Sequence, residues 1–169
     1  MIEAMATVTL RGNPIHTSGE LPAVGSDAPD FSVTGSDLGD LTLGTFADKN
    51  LILNIYPSVD TPTCAASTRA FNERAGGRDD TVVLCVSQDL PFAFSRFCGA
   101  EGIENVKTGS AFRSTFLDDY GVKLVDGPLR GLAARAVVIV DGNGKVTYTE
   151  LVPEIGQEPN YDAALAALD

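Results

Sequence analysis

The chain has 169 residues, 44% hydrophobic and 21% charged, which suits one compact domain with its own core and argues against a disordered or fibrous chain. Twelve basic residues against 23 acidic ones give a net charge of -11, a balance that disfavours a non-specific nucleic-acid binder. No apolar run approaches the roughly 20 residues of a membrane span, and Met1 to Gly25 lack the basic start and apolar core of a secretory signal, so a cytoplasmic protein is expected.

Taken in chain order, Ala6 to Leu10 and Ile15 to Thr17 flank the turn residues Arg11 to Pro14, predicting an N-terminal β-hairpin. Leu21 to Asp40 is rich in Pro, Gly, Ser and Asp and is expected to be loop, with one short strand near Phe31 to Val33. The apolar run Leu51 to Tyr56 predicts a buried strand that stops at Pro57. Cys64, Thr68, Phe71 and Ala75 then fall at helical spacing, and Gly76-Gly77 is expected to close that helix with a left-handed cap. Thr81 to Ser87 and Ala136 to Val140 predict two more buried strands. Asp141 to Gly144 turns the latter into a partner strand over Lys145 to Leu151. Phe92 to Ala100, Phe112 to Tyr120 and Tyr161 to Leu168 are helix candidates. No repeat or linker divides residues 1–169, so a single domain is expected. Strands alternating with helices predict an α/β fold with a central sheet, compatible with the thioredoxin-like class.

The three cysteines lie at 64, 85 and 98, and the one histidine is His16. There is no Cys-x-x-Cys pair or cysteine–histidine cluster, so neither a zinc site nor another cofactor is expected. Cys85 lies inside Val82 to Val86 and reads as buried core filler. His16 has no polar neighbour in sequence and is assigned no role. Gly142 to Lys145 lacks the glycine spacing of a phosphate loop and reads as a hairpin turn.

The most informative stretch is Pro57 to Cys64. Thr61 suits an N-cap and Pro62 the first helical position, which puts Cys64 in the first turn. Free backbone N–H groups and the positive end of the helix dipole there favour a thiolate, the nucleophilic form. From the residues alone two readings of Cys64 stand. It is a nucleophile, or it is a core residue sharing a face with Phe71.

The spacing Pro57-x-x-x-Thr61-x-x-Cys64 resembles the active-site signature of the peroxiredoxins. The Phe46 to Cys64, Thr81 to Cys85, Ser95 to Gly99 and Gly127 to Ala136 segments are similar to the bacterial thiol peroxidase branch, an atypical two-cysteine type, over nearly the whole chain. That resemblance implies a thioredoxin-like fold with an added N-terminal hairpin. It implies Cys64 as the peroxidatic cysteine and Cys98 as the resolving one, joined in an intrachain disulfide during turnover. It further implies that Thr61 hydrogen-bonds thiolate and peroxide, Pro57 shields the site from water and Arg135 completes the pocket. Hydroperoxides would be the substrates, thioredoxin the reductant and a homodimer the assembly. Both cysteines fall on predicted helices, so joining them would require local unwinding. Two other classes stay open: a general thiol–disulfide oxidoreductase, which Thr61 in place of a second cysteine disfavours, and a peroxide-sensing binding module.

Overall fold

The structure is a computed structural model that describes residues 5–168. Strands β1 (Thr7–Leu10) and β2 (Asn13–His16) form a separate antiparallel hairpin, and β3 (Ser32–Thr34) and β4 (Asp40–Thr42) form a second. A 3-10 turn at Leu43–Phe46 leads into β5 (Asn50–Ile55), followed by α1 (Pro62–Arg74) and β6 (Thr81–Ser87). Then come α2 (Pro91–Glu101), β7 (Lys107–Ser110), α3 (Phe116–Asp119), β8 (Ala136–Val140), β9 (Val146–Leu151) and α4 (Tyr161–Ala166). The main sheet has seven strands in the order β4-β3-β7-β6-β5-β8-β9. β5, β6 and β7 run parallel, and the other pairs are antiparallel.

Alternation along the central strands divides the core into two layers, because successive side chains in a strand point to opposite faces. Leu51, Leu53 and Ile55 of β5 join Leu84, Val86, Val138 and Val140 under Phe31, Phe116 and Tyr120. Ile52, Tyr56, Val83, Cys85, Val137 and Ile139 face the other way, under Cys64 and Phe71 of α1, Phe94 and Phe97 of α2, and Ala164 of α4. All three cysteines therefore lie in one layer. This is the thioredoxin-like arrangement with an added hairpin. The hairpin packs Val8 and Ile15 against Leu124, Ala134 and Ile155. Among the described residues no helix is long and apolar enough to cross a membrane.

Three expectations need correction. The N-terminal turn is shorter than expected, since Asn13 and Pro14 already pair within β2. Gly76 does not take a left-handed conformation, and α1 ends at Ala75 with φ -126. A glycine is required at 76 because a Cβ there would lie 2.4 Å from the Asn105 side chain. The helix expected over Phe112 to Tyr120 shrinks to Phe116–Asp119. The Phe112 and Phe116 N–H groups donate to the Ser110 and Ser114 hydroxyls instead, local bonds that compete with helix. β4 and β7 lie where no strand was predicted, as neither carries an apolar run. In β7, Gly109 is needed because a Cβ would meet Val33 of the neighbouring β3 at 2.5 Å.

Candidate active site

The Pro57 to Cys64 segment folds as the local chemistry dictates. Thr61 is extended at φ -83, ψ 147, and its Oγ1 accepts the backbone N–H of Cys64 at 3.2 Å. Pro62 occupies the first helical position, where it needs no N–H partner. The Thr61 hydroxyl in turn donates to the Ser58 carbonyl at 3.2 Å, closing the loop on itself. Cys64 is a free thiol and fully buried, and Pro57, at the start of the same segment, is also buried. The Cys64 carbonyl accepts the hydroxyls of Ser67 at 2.9 Å and Thr68 at 3.0 Å.

A residue that sequence reasoning missed holds this loop in place. The Asp89 carboxylate, beyond the end of β6, accepts the Ser58 hydroxyl at 2.8 Å, the Val59 N–H at 2.7 Å and the Ser87 hydroxyl. An aspartate two residues after a strand has no local signature for such a role, since two of its partners come from about 30 residues away.

Arg135 precedes β8 directly, and the pairing of Ile55 with Ala136 sets it level with Tyr56, where β5 runs out into the loop. It is only 2% exposed. Its Nε donates to the Ile155 carbonyl at 2.8 Å, while the Thr63 hydroxyl of α1 donates to the next carbonyl, Gly156, at 3.1 Å. One short segment thus ties the guanidinium to the turn that carries Cys64. Nη1 of Arg135 is buried and has no hydrogen-bond partner among the described residues. The segment is itself braced by the hairpin. Glu154 accepts the N–H groups of Gly12 and Gly156, at 2.9 Å each, and the Thr9 hydroxyl at 3.0 Å. Those bonds, the Gly156 one foremost, hold its carboxyl down at about 2.

Cys98 sits elsewhere. It is a free thiol on α2, half-buried, on the wall of a groove of about 440 Å³ that also takes in Asp37, Phe94, Ser95 and Lys107 but not Cys64. Partial burial raises its thiol above the ordinary value. The structure therefore places Pro57, Thr61, Cys64 and Arg135 at one end of the sheet and Cys98 on a different helix, with both cysteines inside intact helices.

Cys85 is buried as expected, but its surroundings are not purely apolar. The Asn54 amide donates to its sulfur at 3.7 Å, and the hydroxyls of Tyr56 and Thr68 lie near it. Burial outweighs these polar neighbours and pushes the thiol up to about 12. His16, without a partner near in sequence, pairs through Nδ1 with Asp126 at 2.7 Å.

A redoxin family model matches residues 23–165, leaving out the first hairpin. The chain is 63% identical over 164 residues to a thiol peroxidase of Mycobacterium tuberculosis, covering 97% of this chain and 99% of that protein. It is 56% identical over 165 residues to a thiol peroxidase of Corynebacterium glutamicum, covering 98% and 100%. Among solved structures it is similar to a peroxiredoxin-like protein from Aquifex aeolicus, with a TM-score of 0.92, 43% identity and coverage of 98% and 97%. A thiol peroxidase from Chromobacterium violaceum shares the fold, with a TM-score of 0.89 at 21% identity and coverage of 99% and 97%.

Proposed function

The chain belongs to the redoxin family and within it to the thiol peroxidases, which reduce peroxides through cysteine chemistry, and from this we propose that Cys64 is the residue that meets the peroxide. The Cys64 thiolate attacks one oxygen of a hydroperoxide in line. The O–O bond breaks, water or an alcohol leaves with a proton, and Cys64 becomes a sulfenic acid. The observation that carries this reading is the buried Arg135 guanidinium, whose Nη1 has no partner among the described residues. A permanent cation held out of water with an unpartnered N–H is suited to orient peroxide oxygens.

Thr61 can accept from a protonated peroxide oxygen or donate to a bare one, and Pro57 keeps water from the base of the pocket. Cys98 then condenses with the sulfenic acid, forming a Cys64–Cys98 disulfide and releasing water. A dithiol, thioredoxin in this reading, reduces the disulfide by exchange. Hydrogen peroxide and organic hydroperoxides are both compatible with the site. The exposed apolar residues Leu90, Phe92 and Phe112 follow the C-terminal ends of β6 and β7, the sheet end that also carries the catalytic loop. They favour a homodimer that covers this end.

The test is peroxide consumption with a thioredoxin system, using Cys64→Ser and Cys98→Ser. Loss of all peroxide reactivity in the first and a trappable sulfenic acid in the second are expected. Full activity in Cys64→Ser refutes the assignment, and insulin reduction without peroxide consumption replaces it with a general oxidoreductase. A single oxidation without turnover replaces it with a sensor.

A further inference from the structure

Cys98 is bracketed on α2 by contacts that reach across to α1 and its loop. Two residues before it, the Arg96 guanidinium pairs with Asp60 of the catalytic loop at 2.7 Å. One residue before it, the Phe97 ring lies under the Arg69 guanidinium of α1, 5.9 Å from ring centroid to carbon. Three residues after it, Glu101 pairs with the same Arg69. The Cys98 carbonyl also accepts the N–H groups of Gly102 and Ile103, which closes the last turn of the helix.

These contacts oppose the motion that resolution requires. A disulfide needs its two Cα atoms within about 7 Å and its Cβ vectors converging. Cys64 is enclosed in the core, and Cys98 opens into a groove that Cys64 does not line. Each thiol is held within an intact helix, so resolution in this reading loosens the Cys98 turn from α2, and the Arg96 and Glu101 tethers on either side oppose that.

We propose that the Arg96–Asp60 and Glu101–Arg69 ion pairs are a restraint that sets the rate at which Cys98 resolves the Cys64 sulfenic acid. This rests on the reading of Cys64 and Cys98 given above. Two reactions compete for the sulfenic acid. In one, the Cys98 thiol attacks the sulfenic sulfur, an S–S bond forms, and the hydroxyl leaves as water with the Cys98 proton. In the other, a second hydroperoxide transfers an oxygen to Cys64, leaving as water or alcohol and producing a sulfinic acid that no thiol reverses. The restraint slows the first and so sets the peroxide level at which the second wins. Arg96 and Glu101 are positioning residues in this scheme, acting on Cys98 rather than on peroxide. Because both pairs are solvent-exposed, added salt weakens them.

The experiment is rapid quenching of the reduced full chain mixed with hydrogen peroxide, with thiols blocked and species separated by mass. It uses wild type, Arg96→Gln, Glu101→Gln, the double variant and Arg96→Lys. Oxidation of Cys64 is expected to keep its rate in all of them. Disulfide formation should accelerate about two- to five-fold in each Gln variant and about tenfold in the double variant. Arg96→Lys should stay close to wild type. Raising NaCl from about 0.05 M to about 1 M should accelerate this step in wild type and not in the double variant. The sulfinic fraction at high peroxide should fall in the same order. Disulfide formation at the wild-type rate or slower in the Gln variants, or salt-insensitive in wild type, overturns the restraint alone. Absence of any one-oxygen adduct or disulfide at Cys64 in wild type overturns the reading of the site, and the restraint with it.

Discussion

The hydroxyl of Thr61 is bonded on both sides. It accepts the backbone N–H of Cys64 at 3.2 Å and donates its proton to the Ser58 carbonyl at 3.2 Å. The same oxygen caps the helix and fixes the turn that delivers the sulfur, so structure and chemistry are coupled at this atom. Thr61 must release the Ser58 carbonyl before it can donate to anything in the pocket.

Thr61→Val keeps the shape and removes both bonds. Loss of the cap is expected to cost about 1 kcal/mol, read as a fall in Tm. Cys64 oxidation is expected to slow by about 10²-fold in stopped flow. Thr61→Ser should restore both. A Val variant that loses stability but oxidises at the normal rate would reduce Thr61 to a cap.

Arg135→Met separates stability from function in the opposite sense. The guanidinium is buried with Nη1 unpartnered and Nε on the Ile155 carbonyl, a costly way to fill a core position. An apolar chain of similar length is expected to leave Tm unchanged or raise it. The second-order reaction with peroxide should fall by about 10²-fold or more. A clear loss of Tm with an unaltered rate would make Arg135 a structural residue.

Asp89 is expected to matter without touching peroxide. Asp89→Ala leaves the Val59 N–H and the Ser58 and Ser87 hydroxyls without their acceptor, at a cost of about 1–3 kcal/mol. The catalytic loop should then exchange amide hydrogens faster at Ser58 to Thr61, while the sheet does not. Equal protection of the loop in wild type and Asp89→Ala would show that the loop is held by other contacts.

What the sequence made legible follows from how local each cause is. Thr61, Pro62 and Cys64 lie within one helical turn, and cap, proline and dipole arguments act over that distance. The apolar runs of β5, β6 and β8 are equally local, and their bounds came out close to expectation. β4 and β7 have no such signal, since Gly109 is explained only by Val33 of a strand about 75 positions earlier. Arg135 was placed at the site by resemblance alone, because its partner Ile155 is 20 residues on. The polar setting of Cys85 was invisible for the same reason: Asn54 and Tyr56 come from β5 and its end, and Thr68 from α1.

Cys85 carries the last prediction, on alkaline stability. Its thiol rises from about 9 to about 12 in the folded protein, chiefly through burial. The folded state therefore holds a proton that the unfolded chain gives up first. That contribution is fully present below pH 9 and is lost as pH rises from 9 towards 12, by about 1 kcal/mol per pH unit. Cys85→Ala lacks this proton. It should be less stable than wild type near pH 7, because a buried atom is lost and the Asn54 amide loses its acceptor. Its stability should fall less steeply above pH 9, so that the two curves converge in denaturant titrations. Tyr120 and Tyr161 are also raised by burial and lose stability in the same direction, but they are common to both proteins and cancel in the comparison. Tyr56 is raised chiefly by burial and in part by Cys85, so its own loss is smaller in Cys85→Ala and adds to the same difference. Native Cys85 should also resist iodoacetamide at pH 8. Parallel stability curves, or rapid alkylation of Cys85 in the folded protein, would mean that its sulfur is less enclosed than its 0% exposure implies.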